Sequence, residues 1–283
     1  MRRLLVITLA ALSAGCVAHP QGRQPYFGPT LPLTDIIHQI NERNTAVTSL
    51  WSSGTFSAHL IDPQTKKKTD GDGDLTLLYQ PKKDLRVVGK VLTQKVFDIG
   101  GNDDRYWLIL PTEDVMWWGY TRLIGQGRAS QLPIRPDLLP EVLAVTPLET
   151  DLLKEPAPTL RFNNDQDCYM VTWNVQLSDR WAVQKEVWYD RATLQPRLVL
   201  LFDPNGRVAL RAYLSKFQPI YLGNGKNGPQ IASQFDMLFP ESGSKFSITL
   251  KQLEDSHNNA PNGRSFAFPG DRAGVSRTIQ IDE

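Results

Sequence analysis

The strongest constraint on the fold of this chain is a repeated alternation of apolar and polar residues. From about residue 50 to residue 255, short runs carry apolar side chains at every second position, with polar ones between them. This period of two is typical of antiparallel strands that bury one face. The clearest runs are Leu75–Tyr79, Leu85–Val91, Tyr169–Leu177, Val208–Leu214 and Phe246–Leu250. Turn residues separate them, and roughly eleven strands at hairpin spacing predict a barrel or sandwich.

Two segments have helical spacing instead. Apolar residues between Leu33 and Val47 recur at three- and four-residue intervals, with Thr34 or Asp35 as N-cap, which predicts an amphipathic helix over residues 33–49. A second helix is predicted between Arg135 and Val145, short or broken because of Pro140. Its apolar residues are candidates for a movable lid or for a helix packed permanently on the core: Leu138, Leu139, Val142 and Leu143.

The N-terminus has the features of an export signal. Arg2 and Arg3 precede an apolar run that is too short to span a bilayer as a helix, and small residues precede Cys16. The segment resembles the lipobox of bacterial lipoproteins, in which the cysteine is acylated and becomes the mature N-terminus. A secretory signal whose cleavage site happens to contain a cysteine is the alternative. We therefore predict a signal peptide over residues 1–15 and a membrane anchor on Cys16.

The rest of the chain is predicted to form one domain on a spacer. Residues 16–32 are rich in Pro, Gly and Gln and read as a flexible tether, and residues 33–283 read as the domain. Acylation of Cys16 leaves Cys168 as the only other cysteine, so the fold does not depend on an internal disulfide. With 31 Lys and Arg against 30 Asp and Glu, the charge gives no indication of nucleic-acid binding.

Several short segments resemble the LolA/LolB superfamily of lipoprotein carriers and receptors. They are Ile40-Asn41 through Trp51, Phe97-Asp98-Ile99-Gly100 to Leu108, and the closing Phe266-Ala267-Phe268-Pro269. The resemblance covers the whole mature chain. It implies a half-open antiparallel β-barrel, with helices as a lid, around an apolar cavity that holds acyl chains. Since LolA is soluble and LolB is an outer-membrane lipoprotein, the lipobox favours the LolB-like arrangement.

Aromatic residues give separate support for an apolar ligand. The hairpin that contains Trp107, Trp117 and Trp118 is apolar on both faces, so each face needs a cover. These tryptophans are candidates either for the cavity wall or for a core packed under the helices. Tyr169 and Trp173, on the apolar face of another predicted strand, are further cavity candidates.

Catalytic and metal-binding signatures are not evident in the sequence. Asp70, Asp72 and Asp74 copy the start of a calcium loop, but Leu75 and Pro81 stand where Gly and Glu are needed, so a hairpin turn is favoured. The four histidines have no metal spacing, and no nucleophile motif is present. We expect no enzyme activity, no metal and no cofactor.

Three hypotheses of function remain. The first is a membrane-anchored binder of lipid or lipoprotein acyl chains, and the second is a structural or sensory envelope lipoprotein that binds a protein partner, as the RseB-like branch of the superfamily does. An enzyme ranks last. Val17 is not the aspartate that resembles an inner-membrane retention signal, so we expect an outer-membrane, periplasm-facing location.

Overall fold

A computed structural model describes residues 25–62, 65–81, 84–123, 132, 134–222, 225–255 and 264–282. The predicted signal peptide and Cys16 lie outside the described residues. Fourteen strands are assigned, where the alternation alone predicts about eleven. The strands are β1 (Leu50–Ile61), β2 (Lys68–Gln80), β3 (Asp84–Val91), β4 (Gln94–Gly101), β5 (Arg105–Leu110), β6 (Val115–Tyr120), β7 (Ala157–Asn163), β8 (Cys168–Gln176), β9 (Trp181–Asp190), β10 (Pro196–Phe202), β11 (Val208–Tyr221), β12 (Asn227–Phe239), β13 (Ser244–Glu254) and β14 (Arg277–Gln280).

All fourteen strands belong to one open sheet. Two antiparallel meanders, β1–β6 and β7–β13, are joined where β1 pairs with β13, for example Thr55 with Thr249. The short strand β14 pairs in parallel with β6, so β14 and β7 are the two edges. The sheet does not close, which confirms the predicted half-open antiparallel architecture.

The helices follow the predicted positions but are shorter. Helix α1 spans Leu33–Asn44, not residues 33–49, and its N-cap is Pro32 without a side-chain cap bond. The chain turns at Thr45, and Val47 joins the core from the connection to β1. The second helical segment is broken as expected, with a 3₁₀ turn at Pro136–Leu138 followed by α2 (Leu139–Val142). Within the described residues, none of the helices has the length and apolar character that a membrane span requires.

One large core lies on the inner face of the sheet, defined here as the face that α1 and α2 cover. Ile36 and Ile40 of α1 and Val142 of α2 join a continuous cluster with apolar side chains of β1–β5 and β8–β13. Because each strand alternates, the other residues of these strands point to the outer face. Burying this face of the sheet is the main stabilising contribution, since each large apolar side chain contributes about 1.5–3 kcal/mol.

The C-terminal residues cover part of the outer face. Phe268, Ala273 and Val275 pack on the outer side chains of β5 and β6, while Ile281 lies with Tyr106 on the other side of these strands. The chain therefore crosses the sheet edge at β14. Its backbone is tied to the outer face by Arg86 and Asn102, which donate hydrogen bonds to the carbonyls of residues 265 and 266 (2.9 and 2.8 Å).

Candidate functional site

A cavity of about 620 Å³ opens between the two arms of the sheet. One wall consists of Val175, Leu177, Ala182 and Leu201, from β8–β10 and the turn after β8. The opposite wall includes Gly101 and Tyr106, from β4 and β5. These strands are far apart in the sheet order, so the sheet curls and brings its two arms together across the cavity.

The helical insertion forms the third wall. One ion pair lies within the insertion, and a second attaches it to the sheet. Arg135 holds Asp137 through two hydrogen bonds of 2.9 and 2.5 Å, and the Asp137 side chain has no exposed surface. Glu141 of α2 accepts a hydrogen bond of 2.8 Å from Lys185 of β9, whose ammonium group lies 4.5 Å from the centre of the Trp173 ring. The insertion is therefore bound to the arm that carries β9.

A second set of contacts connects the insertion to α1. The Asn44 amide donates to the carbonyls of residues 144 and 146, at 3.3 and 2.9 Å, and Asn44 is buried. Asn41 exchanges hydrogen bonds with the backbone of Leu148, donating at 2.9 Å and accepting at 2.7 Å. These two asparagines fix the chain that follows α2, so α2 and the residues after it are both attached to the rest of the domain.

The wall at β5 carries a buried phenol. Burial raises the pKa of the Tyr106 hydroxyl, and the nearby charges of Asp137 and Asp282 raise it further. The neutral hydroxyl donates a hydrogen bond of 3.0 Å to Asp282. The cavity thus combines apolar strand residues with charges that are already paired, an arrangement suited to binding a mostly apolar molecule.

The predicted site residues separate into three groups. Leu138 lines the cavity, whereas Leu139, Val142 and Leu143 are buried in the main core beneath it. Trp173 and Tyr169 also belong to the core, and the Tyr169 hydroxyl accepts a hydrogen bond from the backbone of Leu31. Trp117 lies on the inner side, between this core and Tyr106.

Trp107 and Trp118 are not placed with the other candidates. They lie on the outer face, where the Phe268 ring meets them at centroid distances of 6.0 and 5.3 Å. The two-sided apolar pattern of this hairpin is thus explained by two covers, the core inside and the C-terminal segment outside.

Several cavity residues were not singled out from the sequence. Val175 and Leu177 share the alternation of Tyr169 and Trp173, so a signal for them existed. The sequence carries no signal for the pairs Arg135–Asp137 and Lys185–Glu141, because charged residues near a helix or on a strand usually face solvent. An exposed apolar turn was also missed: Val91 and Leu92, between β3 and β4, are 40% and 92% exposed.

No groups of three or more His, Cys, Asp or Glu with the arrangement of a metal site occur among the residues that the structure describes. Comparison by sequence finds no matching protein-family model and no matching curated protein.

Comparison of the fold gives clear matches. A domain assigned to outer membrane lipoprotein sorting from Vibrio parahaemolyticus superposes with a TM-score of 0.53 at 12% identity, over 82% of this chain and 95% of that one. A LolA superfamily protein from Nitrosomonas europaea gives 0.51 at 11% identity, over 84% and 99%. The chain therefore has the LolA-like fold that the resemblance predicted.

Proposed function

We propose that this chain is a membrane-anchored envelope lipoprotein that binds acyl chains of a lipid or lipoprotein in the cavity between the two arms of its sheet. The observation that carries this proposal is the cavity itself, about 620 Å³ in volume and lined by Leu138, Val175, Leu177 and Leu201. This volume lies within the range that is usual for binding pockets of small molecules. Each buried CH2 group contributes about 0.8 kcal/mol to binding.

The fold supports the same assignment. One structural neighbour is assigned to outer membrane lipoprotein sorting. We propose a related role for this chain, in the trafficking of lipids or lipoproteins. The anchor is acylated Cys16, and the expected location is the periplasmic face of the outer membrane. The paired charges in the cavity wall fit a ligand that carries a polar group beside its apolar part.

The test is lipid extraction and native mass spectrometry of the purified full-length protein and of Cys16→Ala, which removes the anchor. Ala182→Trp places a large side chain in the cavity, and we expect it to lose most of the copurifying acylated molecule. Ala192→Trp, at an exposed turn position, is the matched control and should retain it. An equal amount of lipid in both tryptophan variants contradicts the cavity assignment.

One observation favours a second function, the binding of an envelope protein. The exposed turn at Val91 and Leu92 is an apolar surface of the kind that such a partner covers. This function is favoured if the unanchored protein purifies without lipid and Leu92→Asp abolishes capture of one defined envelope protein that wild type retains.

A further inference from the structure

The chain segment just before α1 is held firmly against the domain. The backbone of Tyr26 donates a hydrogen bond of 3.2 Å to the carbonyl of Asn164, in the turn after β7. The Tyr26 ring lies 3.7 Å from the guanidinium carbon of Arg191 and meets the Phe162 ring edge-on at 5.9 Å. At its other end, the Leu31 amide donates to Tyr169 at 2.8 Å. The last residues of the predicted tether therefore have a defined position.

This position presents one aromatic side chain to solvent. The Tyr26 hydroxyl donates a hydrogen bond of 3.1 Å to the carbonyl of Pro29, which closes a turn around Phe27. Phe27 is 81% exposed. The ring of Phe27 therefore lies outside the aromatic cluster that Tyr26 forms with Phe162.

The arginine that contacts Tyr26 is paired within the protein. Arg191 lies against the Tyr26 ring and forms an ion pair with Asp167, at 2.6 Å. Asp165, next to the Asn164 that accepts the Tyr26 hydrogen bond, is exposed, so polar groups lie close to this turn. Aromatic side chains prefer the boundary between headgroups and hydrocarbon, where an apolar ring and polar neighbours are both satisfied.

The length of chain before Tyr26 limits how far this surface lies from the proposed anchor. Nine residues lie between Cys16 and Tyr26, and the ten steps from one Cα to the other span at most roughly 35 Å in any conformation. A domain of this size has a radius of gyration of about 18 Å, so it is roughly 45 Å across. The end of the domain that carries Tyr26 is therefore the end nearest the anchor.

We propose that the turn Tyr26–Pro29 is a second membrane contact, in which Phe27 inserts into the interface of the bilayer that holds the acyl chains of Cys16. This inference rests on the proposed function, because it requires the anchor. Leu92, in the turn after β3, is also strongly exposed, and the proposal assigns it no part in this contact.

The test uses acylated full-length protein in phosphatidylcholine vesicles, with an environment-sensitive fluorophore at Phe27→Cys. Leu92→Cys, at a second strongly exposed apolar position, is the matched control, and native Cys168 is buried and protected from labelling. We expect a blue shift of the label at position 27 and a loss of its emission with nitroxide-labelled acyl chains. The label at position 92 should show neither.

Intact mass measured before labelling separates the two proposals. A mass without acyl chains rejects the anchor, and the membrane contact with it. Acyl chains present, with the label at position 27 as water-exposed as the label at position 92, overturn the contact alone. Quenching at position 92 but not at position 27 places the membrane contact at a different surface and also overturns the proposal.

Discussion

The ion pair between Arg86 and Asp98 helps to hold the C-terminal segment on the outer face of the sheet. Asp98 is 1% exposed, and Arg86 reaches both of its carboxylate oxygens at 3.0 and 2.8 Å. Arg86 also donates to the carbonyl of residue 265, so one guanidinium joins β3, β4 and the C-terminal segment. Burial by itself raises the pKa of Asp98, but the hydrogen bonds and charge of Arg86, with those of Lys95, outweigh burial and lower it.

We predict that Asp98→Asn lowers the free energy of unfolding by about 3 kcal/mol at neutral pH, because the partly buried Arg86 loses its countercharge. Denaturant unfolding measures the change. Asp103→Asn, at an exposed turn, is the matched control and should change stability by less than about 0.5 kcal/mol.

The stabilising contribution of Asp98 should depend on pH. The folded pKa of Asp98 is below its unfolded value, so this contribution to the free energy of unfolding is complete above about pH 4 and is lost as the pH falls through the folded pKa. A difference between wild type and Asp98→Asn that stays constant down to pH 2 contradicts this account.

At the scale of elements, β14 and the residues before it protect the edge of the sheet. Asp114, after β5, accepts hydrogen bonds from the backbone and the hydroxyl of Ser276, and Asp282 accepts one from the backbone of Tyr120. These contacts hold a strand of only four residues, most of it exposed. The strand is therefore maintained by the bonds at its two ends more than by burial.

Removal of residues 276–283 should expose β6. We predict faster amide hydrogen exchange in Val115–Tyr120 after this truncation, since their partner strand is gone, and no change in β12, at a distant position in the sheet. Mass-spectrometric hydrogen exchange of the truncated and full chains measures both. Equal protection of β6 in the two proteins shows that β14 does not cover the edge in solution.

The elements also show what the sequence can reveal. The runs in β8, β11 and β13 were predicted because one face of each meets the core and the other meets water. The outer cover of β5 and β6 was not predicted, because Phe268 lies about 160 positions from Trp107 and alternation carries no information on distant partners. The charged cavity wall escaped notice for the same reason, since Lys185 meets Glu141 only after the sheet curls.

At the scale of the whole molecule, the cavity is where three separate parts of the fold meet: the β4–β5 arm, the β8–β10 arm and the helical insertion. A ligand that contacts all three is bound by the folded state and not by the unfolded chain. Ligand binding then adds to global stability, by about 2.7 kcal/mol when the free ligand is present at 100 times its Kd.

We therefore predict that a single-chain phospholipid, added below its micelle concentration, raises the Tm of the unanchored protein by roughly 5–10 °C at saturation. Calorimetry of Cys16→Ala with and without the lipid measures the shift. The same lipid should leave the Tm of Cys16→Ala combined with Ala182→Trp nearly unchanged. Equal shifts in both proteins point to binding outside the cavity.

The junction of β1 with β13 affects the order in which the molecule forms. Ser52 and Gln252, 200 positions apart, are hydrogen-bonded across this junction, and no other pairing among the described strands links the two meanders. Each meander is built from neighbouring hairpins. Pairing of β1 with β13 closes a much longer loop, and this step costs more conformational entropy. Synthesis starts at the N-terminus, so β1 is present long before β13 follows. Until β13 pairs with it, the half-sheet that contains β1 carries an unpaired edge, a surface that favours pairing with strands of other chains.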